Sequence, residues 1–176
     1  MKGLSAAVSS VGDRSRKLVP GDLVFVDIGC GFNGYYSDRT QVYRYKSEPD
    51  ELMVKEHAAC MRIQKEAAAL LKPGTLASTP YDEVVGKLDD AFVKNFMGVG
   101  DERVKFLGHG VGLYVDEYPI IASGIDMVLE NNMVIALEPK KSLEGIGIVG
   151  VEDTYIVTDE GGECITGGQK EIMTVW

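Results

Sequence analysis

Asp27, Asp38, His109, Glu138 and Glu152 are the residues of this 176-residue chain whose types and settings could do chemistry, each in a stretch that reads as a strand or a glycine-bounded turn. Asp27 ends the apolar run LVFVD, and Asp38 lies in a second β-rich run after the turn residues Gly31, Asn33 and Gly34. Two carboxylates on neighbouring strands can meet at one site. His109 stands in LGHGVGL, where Gly108 and Gly110 let backbone approach closely. Glu138 closes the run MVIALE and Glu152 interrupts GIVGVEDTYIVT, places where a strand core excludes charge unless something compensates it. Four carboxylates and one imidazole suit Mn²⁺, Fe²⁺, Co²⁺ or Zn²⁺. Four carboxylates can neutralise two such ions, and a metal pair about 3.5–4 Å apart shares and activates a water, so metal-assisted hydrolysis is the leading chemistry. Taken singly, the aspartates read more readily as solvated or capping groups, and His109 says little more. The apolar flanks of the two glutamates argue burial, and a buried carboxylate needs a partner. Spacing alone does not join the five into one site.

The elements between these segments read as helix. In SEPDELMVKEHAACMRIQKEAAALLKPG, Ser47 is the expected N-cap with Asp50 completing a capping box, and Pro73 and Gly74 stop the helix. Leu52, His57, Cys60, Ile63, Ala67 and Leu70 or Leu71 recur at helical spacing as its buried stripe. TPYDEVVGKLDDAFVKNFMG reads as a second helix, with Thr79 as cap, Pro80 at the first position, and Val84, Leu88, Phe92 and Phe96 on one face. Both are packing helices without chemistry, and no internal repeat is visible.

The stretches VDIG, GYYSDRT, GHGVGL, ALEPK and VGVEDTYIVT resemble, in that order, the metal-binding segments of the pita-bread metallopeptidases: methionine aminopeptidase, prolidase, aminopeptidase P and creatinase. The resemblance runs from about Gly21 to Thr166 and is nearest to the C-terminal catalytic domain of aminopeptidase P or prolidase. It implies an α+β pita-bread fold, a curved and mostly antiparallel sheet covered by helices, in one catalytic domain over residues 1–176. It also implies a dinuclear centre, with Mn²⁺ ahead of Co²⁺, Zn²⁺ or Fe²⁺. Asp27 would chelate one metal, Asp38 and Glu152 would bridge both, and His109 and Glu138 would bind the second. A bridging water would attack the substrate carbonyl, with Glu138 as proton shuttle and His109 beside it as the other catalytic residue.

Departures from the pattern matter for substrate. Where the peptidases commonly read GLxxHE, this chain reads GLYVDE, putting Asp116 in place of a histidine that helps hold the substrate carbonyl. An auxiliary histidine that usually precedes the first metal strand corresponds to Ser10, and His57 lies in a helix and replaces neither. DRTQVY stands for the more usual DxTRT and leaves Arg39 and Gln41 without an assigned role. Tyr114 and Asp116, on the loop after His109, are the candidate substrate-binding residues. Asp116 with Glu117 favours a substrate bearing positive charge, such as a free α-amino group. Tyr35, Tyr36, Tyr114 and Tyr118 flank the ligand segments and read more readily as half-buried packing residues. The helical pair that opens the family's first half is not seen before Gly3, so a truncated domain is expected, completed by homodimerisation.

Hydrophobic residues at 45% and charged residues at 26% match ordinary globular proteins, so no segment lacks the apolar content to fold. A formal charge of −9 argues against nucleic acid and anionic membrane as partners. MKGLSAAVSSVG is too short and broken for a signal-peptide core, and no run approaches a membrane span, so a cytoplasmic location is expected. Cys30, Cys60 and Cys164 have neither disulfide-framework nor zinc-knuckle spacing, and Cys30 is expected as a small buried thiol. The sequence therefore predicts a dinuclear metal-dependent peptidase acting on short peptides, as an Xaa-Pro aminopeptidase or dipeptidase. The alternatives are a non-peptide C–N hydrolase of the creatinase type and an inactive binding module on the same fold.

Overall fold

A computed structural model describes residues 15–100, 103–168 and 170–176. Asn33 and Gly34, both at positive φ, form the two-residue turn between β1 (Leu23–Phe32) and β2 (Tyr35–Tyr45). That turn sets the hairpin register, which places Asp27 opposite Thr40 and Gly29 opposite Asp38. Residues directly opposite in an antiparallel pair share a face, so Asp27, Asp38 and Thr40 project from the same side. Val42 is also on that side and is fully buried, whereas Ile28 and Cys30 on the other side are exposed. Cys30 is thus an exposed thiol rather than the buried one expected, because its strand alternation sends it away from the core.

A five-stranded antiparallel sheet has the order β4-β3-β5-β8-β9, built from β3 (Gly108–Gly110), β4 (Glu117–Ile121), β5 (Val134–Leu137), β8 (Asp153–Thr158) and β9 (Gly161–Cys164). Between β5 and β8, β6 (Lys140–Leu143) and β7 (Gly147–Gly150) form a separate ribbon. A parallel strand, β10 (Met173–Val175), borders β2. The bridge Thr40↔Glu152 connects the first hairpin to the segment entering β8. The α+β class and the antiparallel sheets are as expected.

One helix, α1 (Glu51–Ala68), packs Ile63 and Ala67 on the sheet's far face, where Leu137, Ile121 and Phe96 complete the main core. Its N-cap is Asp50, whose carboxylate accepts the Met53 amide at 2.9 Å, not Ser47. His57, Cys60, Ile63, Ala67 and Leu71 are buried as expected, and Met53 rather than the exposed Leu52 continues the stripe into the first turn. The second predicted helix is broken into α2 (Thr79–Val84), a 3-10 turn over Val85–Lys87 and α3 (Asp90–Val93), with Ser78 rather than Thr79 at the N-cap position. Leu88 is extended, and the Asp89 carboxylate caps α3 by accepting the Phe92 amide, so a new helix starts where continuity was expected.

Gly108 is a packing requirement rather than a turn. A Cβ there would lie 2.0 Å from the Ala136 carbonyl oxygen on the adjoining strand. Gly108→Ala is expected to destabilise the protein by roughly 2–3 kcal/mol through overpacking. Gly86→Ala, which meets nothing within 4 Å, is the control. Urea denaturation midpoints of the two variants check the difference.

Candidate metal centre

Strand alternation builds the site. In one row across the sheet, Asp27 faces Thr40 and Thr40 faces Glu152. The β5–β8 register sets Leu137 opposite Asp153, and carried one residue further it brings Glu138 beside Glu152. In the next row, Asp38 lies between Gly29 and Thr154, and Thr154 faces Ala136, which faces His109. Gly29 leaves room for the Val115 side chain, which a Cβ there would meet at 3.4 Å. All five ligand candidates therefore project from one face of these joined strands.

Hydrogen bonds fix the arrangement. Asp38 is buried, its amide donates to Thr154 Oγ1 at 2.8 Å, and that hydroxyl donates back to the Asp38 carbonyl at 2.8 Å. Thr40 Oγ1 donates to Glu152 Oε2 at 2.8 Å, and Glu152 is only 2% exposed. His109 Nδ1 donates to the Gly110 carbonyl at 3.1 Å, which turns Nε2 into the site. Nε2 is 3.4 Å from Glu138 Oε1 and 3.2 Å from Asp116 Oδ1. One ligand atom each from Asp38, His109 and Glu152 lie within 4.8 Å of one another, a spacing that one ion can bridge. Asp38 Oδ1 is buried with no hydrogen-bond partner among the described residues. A buried carboxylate with an unpartnered oxygen, beside an imidazole and a second carboxylate, fits a divalent cation.

The site crowds buried charge. Burial, reinforced by the neighbouring Asp27 carboxylate, pushes Asp38 up to about 6. Burial pushes Glu152 up to about 8; Lys140 opposes the shift, and Glu138, Asp38 and Asp27 add to it. Burial also acts to raise Glu138, but Lys140 and His109 outweigh it and hold that carboxyl below its ordinary range. Desolvation acts to lower His109, and Glu138 outweighs it and lifts the imidazole to about 9. Carboxylates crowded so closely resist ionising together, and a bound cation relieves that repulsion.

Lys140, Thr40 and Thr154 were missed by the sequence reading. Lys140 is 5% exposed, and its ammonium lies 2.5 Å from Glu138 Oε2, 3.7 Å from Asp27 Oδ2 and 3.8 Å from Glu152 Oε2. Each of the three stands two residues beyond a ligand candidate, so strand alternation was the available signal. Of the substrate-binding candidates, Asp116 reaches His109 from an exposed position, while Tyr114 is exposed on the same loop. Tyr35, Tyr36 and Tyr118 are likewise exposed rather than half-buried, because Tyr35 and Tyr36 begin β2 at the hairpin tip and Tyr118 lies on the edge strand β4. Ser10 lies outside the described residues. Arg39 donates to the Gly168 carbonyl at 3.3 Å and Gln41 to the Glu171 carbonyl at 3.1 Å, so both tie down the C-terminal segment. His57 does structural work: Nε2 donates to the Lys170 carbonyl at 2.9 Å, and Nδ1 accepts the Gly150 amide at 3.3 Å. All three cysteines are free, and no helix among the described residues is long and apolar enough to cross a membrane.

Comparison with known proteins gives the family and the fold. The family model of metallopeptidase family M24 matches residues 3–159. An Xaa-Pro dipeptidase of Pyrococcus furiosus is 33% identical over 158 residues, covering 90% of this chain and 43% of that protein. An Xaa-Pro dipeptidase of Lactobacillus delbrueckii subsp. lactis is 34% identical over 174 residues, covering 98% and 45%. The crystal structure of dipeptidase PepE from Mycobacterium ulcerans superposes with a TM-score of 0.81 at 31% identity, over 97% of this chain and 44% of that one. The fold is thus the pita-bread fold, and the chain spans less than half the length of the curated relatives named here.

Proposed function

The chain belongs to metallopeptidase family M24, and from that premise we propose that it hydrolyses short peptides in a metal-dependent reaction, with Xaa-Pro dipeptides or the N-termini of Xaa-Pro peptides as substrates. The observation that carries this reading is the convergence of Asp38, His109 and Glu152, with one Asp38 oxygen left without a partner. Asp38, Glu152, His109 and Glu138 would hold one divalent ion, and Asp27 with Asp38 and Glu152 a second, Mn²⁺ being the first candidate. When bound, the ions supply Lewis-acid polarisation of the scissile carbonyl and activation of water.

The chain's own groups do the rest. Glu138, whose ionised form the neighbouring Lys140 favours, would take a proton from the attacking water and deliver it to the leaving amine. Lys140 and His109 contact its two oxygens and fix its orientation. Asp116 stands at the exposed mouth of the site and offers an anion to a substrate α-ammonium, with Tyr114 as an exposed wall on the same loop.

Purified protein incubated with Mn²⁺ is expected to hydrolyse Xaa-Pro dipeptides, to lose that activity to a chelator, and to leave N-acetylated dipeptides intact. Asp116→Ala is expected to narrow the gap between free and acetylated substrates, read as the ratio of their kcat/KM values. Metal-loaded protein that cleaves no Xaa-Pro peptide would turn the assignment towards a non-peptide C–N substrate or a binding role.

A further inference from the structure

Lys140 carries a positive charge into the centre itself. Three of the four carboxylates lie within 4 Å of its ammonium: Glu138, Asp27 and Glu152. Its Nζ also sits 5.6 Å from the Phe25 ring centroid, so the cation is enclosed by aromatic and carboxylate groups together. The fourth carboxylate, Asp38, is the one left with an unpartnered oxygen, and it converges with His109 and Glu152. The resident ammonium thus sits among Glu138, Asp27 and Glu152, and the ligand atoms of Asp38 and His109 are not among its ion-pair contacts.

We infer that Lys140 is a built-in counter-cation that competes with one of the two metal ions. One divalent ion binds tightly at Asp38, His109 and Glu152, and a second binds beside Asp27 only by displacing the ammonium. Two cations a few ångströms apart repel strongly in a partly desolvated site, so both cannot share the same three carboxylates. A lysine can yield because its charge rides on a flexible four-carbon stem, which lets the ammonium swing while its strand stays in place. This inference rests on the metal-dependent reading above.

The test is a Mn²⁺ titration of chelator-stripped wild type and Lys140→Met by calorimetry, with electron paramagnetic resonance reporting whether two Mn²⁺ ions on one chain are magnetically coupled. Wild type is expected to take one ion tightly and a second with roughly 10- to 100-fold lower affinity, the range by which groups beside a metal's ligands alter binding. Lys140→Met is expected to tighten the second ion by that factor and to show the coupled signal at two equivalents. Two ions of matched affinity in both proteins would overturn the inference and leave the metal-dependent reading intact. No ion bound by either protein would overturn both. Should Lys140→Met fail to fold, Lys140→Gln takes its place: a second ion tightened by about 10- to 100-fold supports the inference, and a second ion no tighter than in wild type overturns it.

Discussion

Replacing Glu152 with glutamine is expected to lower divalent-metal affinity at least about 100-fold, beyond the effect of altering a neighbour of a ligand, and to remove peptidase activity with it. Glu152 is central to the site: it is 2% exposed, it belongs to the three-ligand convergence with Asp38 and His109, and it also faces Lys140. Glutamine keeps the volume and retains an oxygen to accept the Thr40 hydroxyl, so the bridge between the hairpin and the five-stranded sheet persists. What glutamine removes is the charge and one strong ligand oxygen. Calorimetric titration with Mn²⁺ separates this from unfolding, provided the variant's urea midpoint is recorded alongside. Wild-type affinity in a folded Glu152→Gln protein would remove Glu152 from the centre. Glu152→Ala is the harsher variant, since it also deletes the acceptor for Thr40 and leaves a buried cavity.

Glu138→Gln is expected to behave differently. A positioned general base contributes about 10²- to 10⁴-fold, and an amide cannot carry the proton, so kcat should fall by that range with KM little changed. The amide retains an oxygen for Lys140 or for His109, so its position in the site is kept. Glutamine is the informative substitution because alanine would leave the buried Lys140 ammonium without its 2.5 Å partner. Steady-state kinetics on an Xaa-Pro dipeptide at saturating Mn²⁺ check it. An unchanged kcat would show that another group moves the proton. A loss of metal binding as large as that of Glu152→Gln would instead make Glu138 chiefly a ligand.

The two glutamates were legible in the sequence for a physical reason. A charge that closes or interrupts an apolar strand run must be buried, and both Glu138 and Glu152 are. The hairpin was legible in Asn33-Gly34, because few residue pairs accept two consecutive positive φ angles. Helix starts were less legible: Ser47 and Asp50 both suit an N-cap, and the choice fell to Asp50, whose carboxylate caps the Met53 amide. The long second helix failed for a similar reason, because Asp89 can cap a new helix as readily as sit within an old one.

By itself the sequence determined the local terms: strand alternation, turn chemistry and the burial of isolated charges, all set by residues within a few positions of one another. These decide which side chains share a face, and so place Asp38 with Thr40, and Glu138 with Lys140. Only the tertiary structure decided which faces meet. The contacts that join Asp38 to Thr154 and Thr40 to Glu152 span 116 and 112 residues, and they depend on how the hairpin packs against the five-stranded sheet. Lys140 shows the difference most directly. Its side of the strand follows from alternation, but its role as a cation among carboxylates exists only because Asp27 and Glu152 arrive from other segments of the chain. Coulomb interactions and desolvation depend on distances in space, and no local pattern carries those distances.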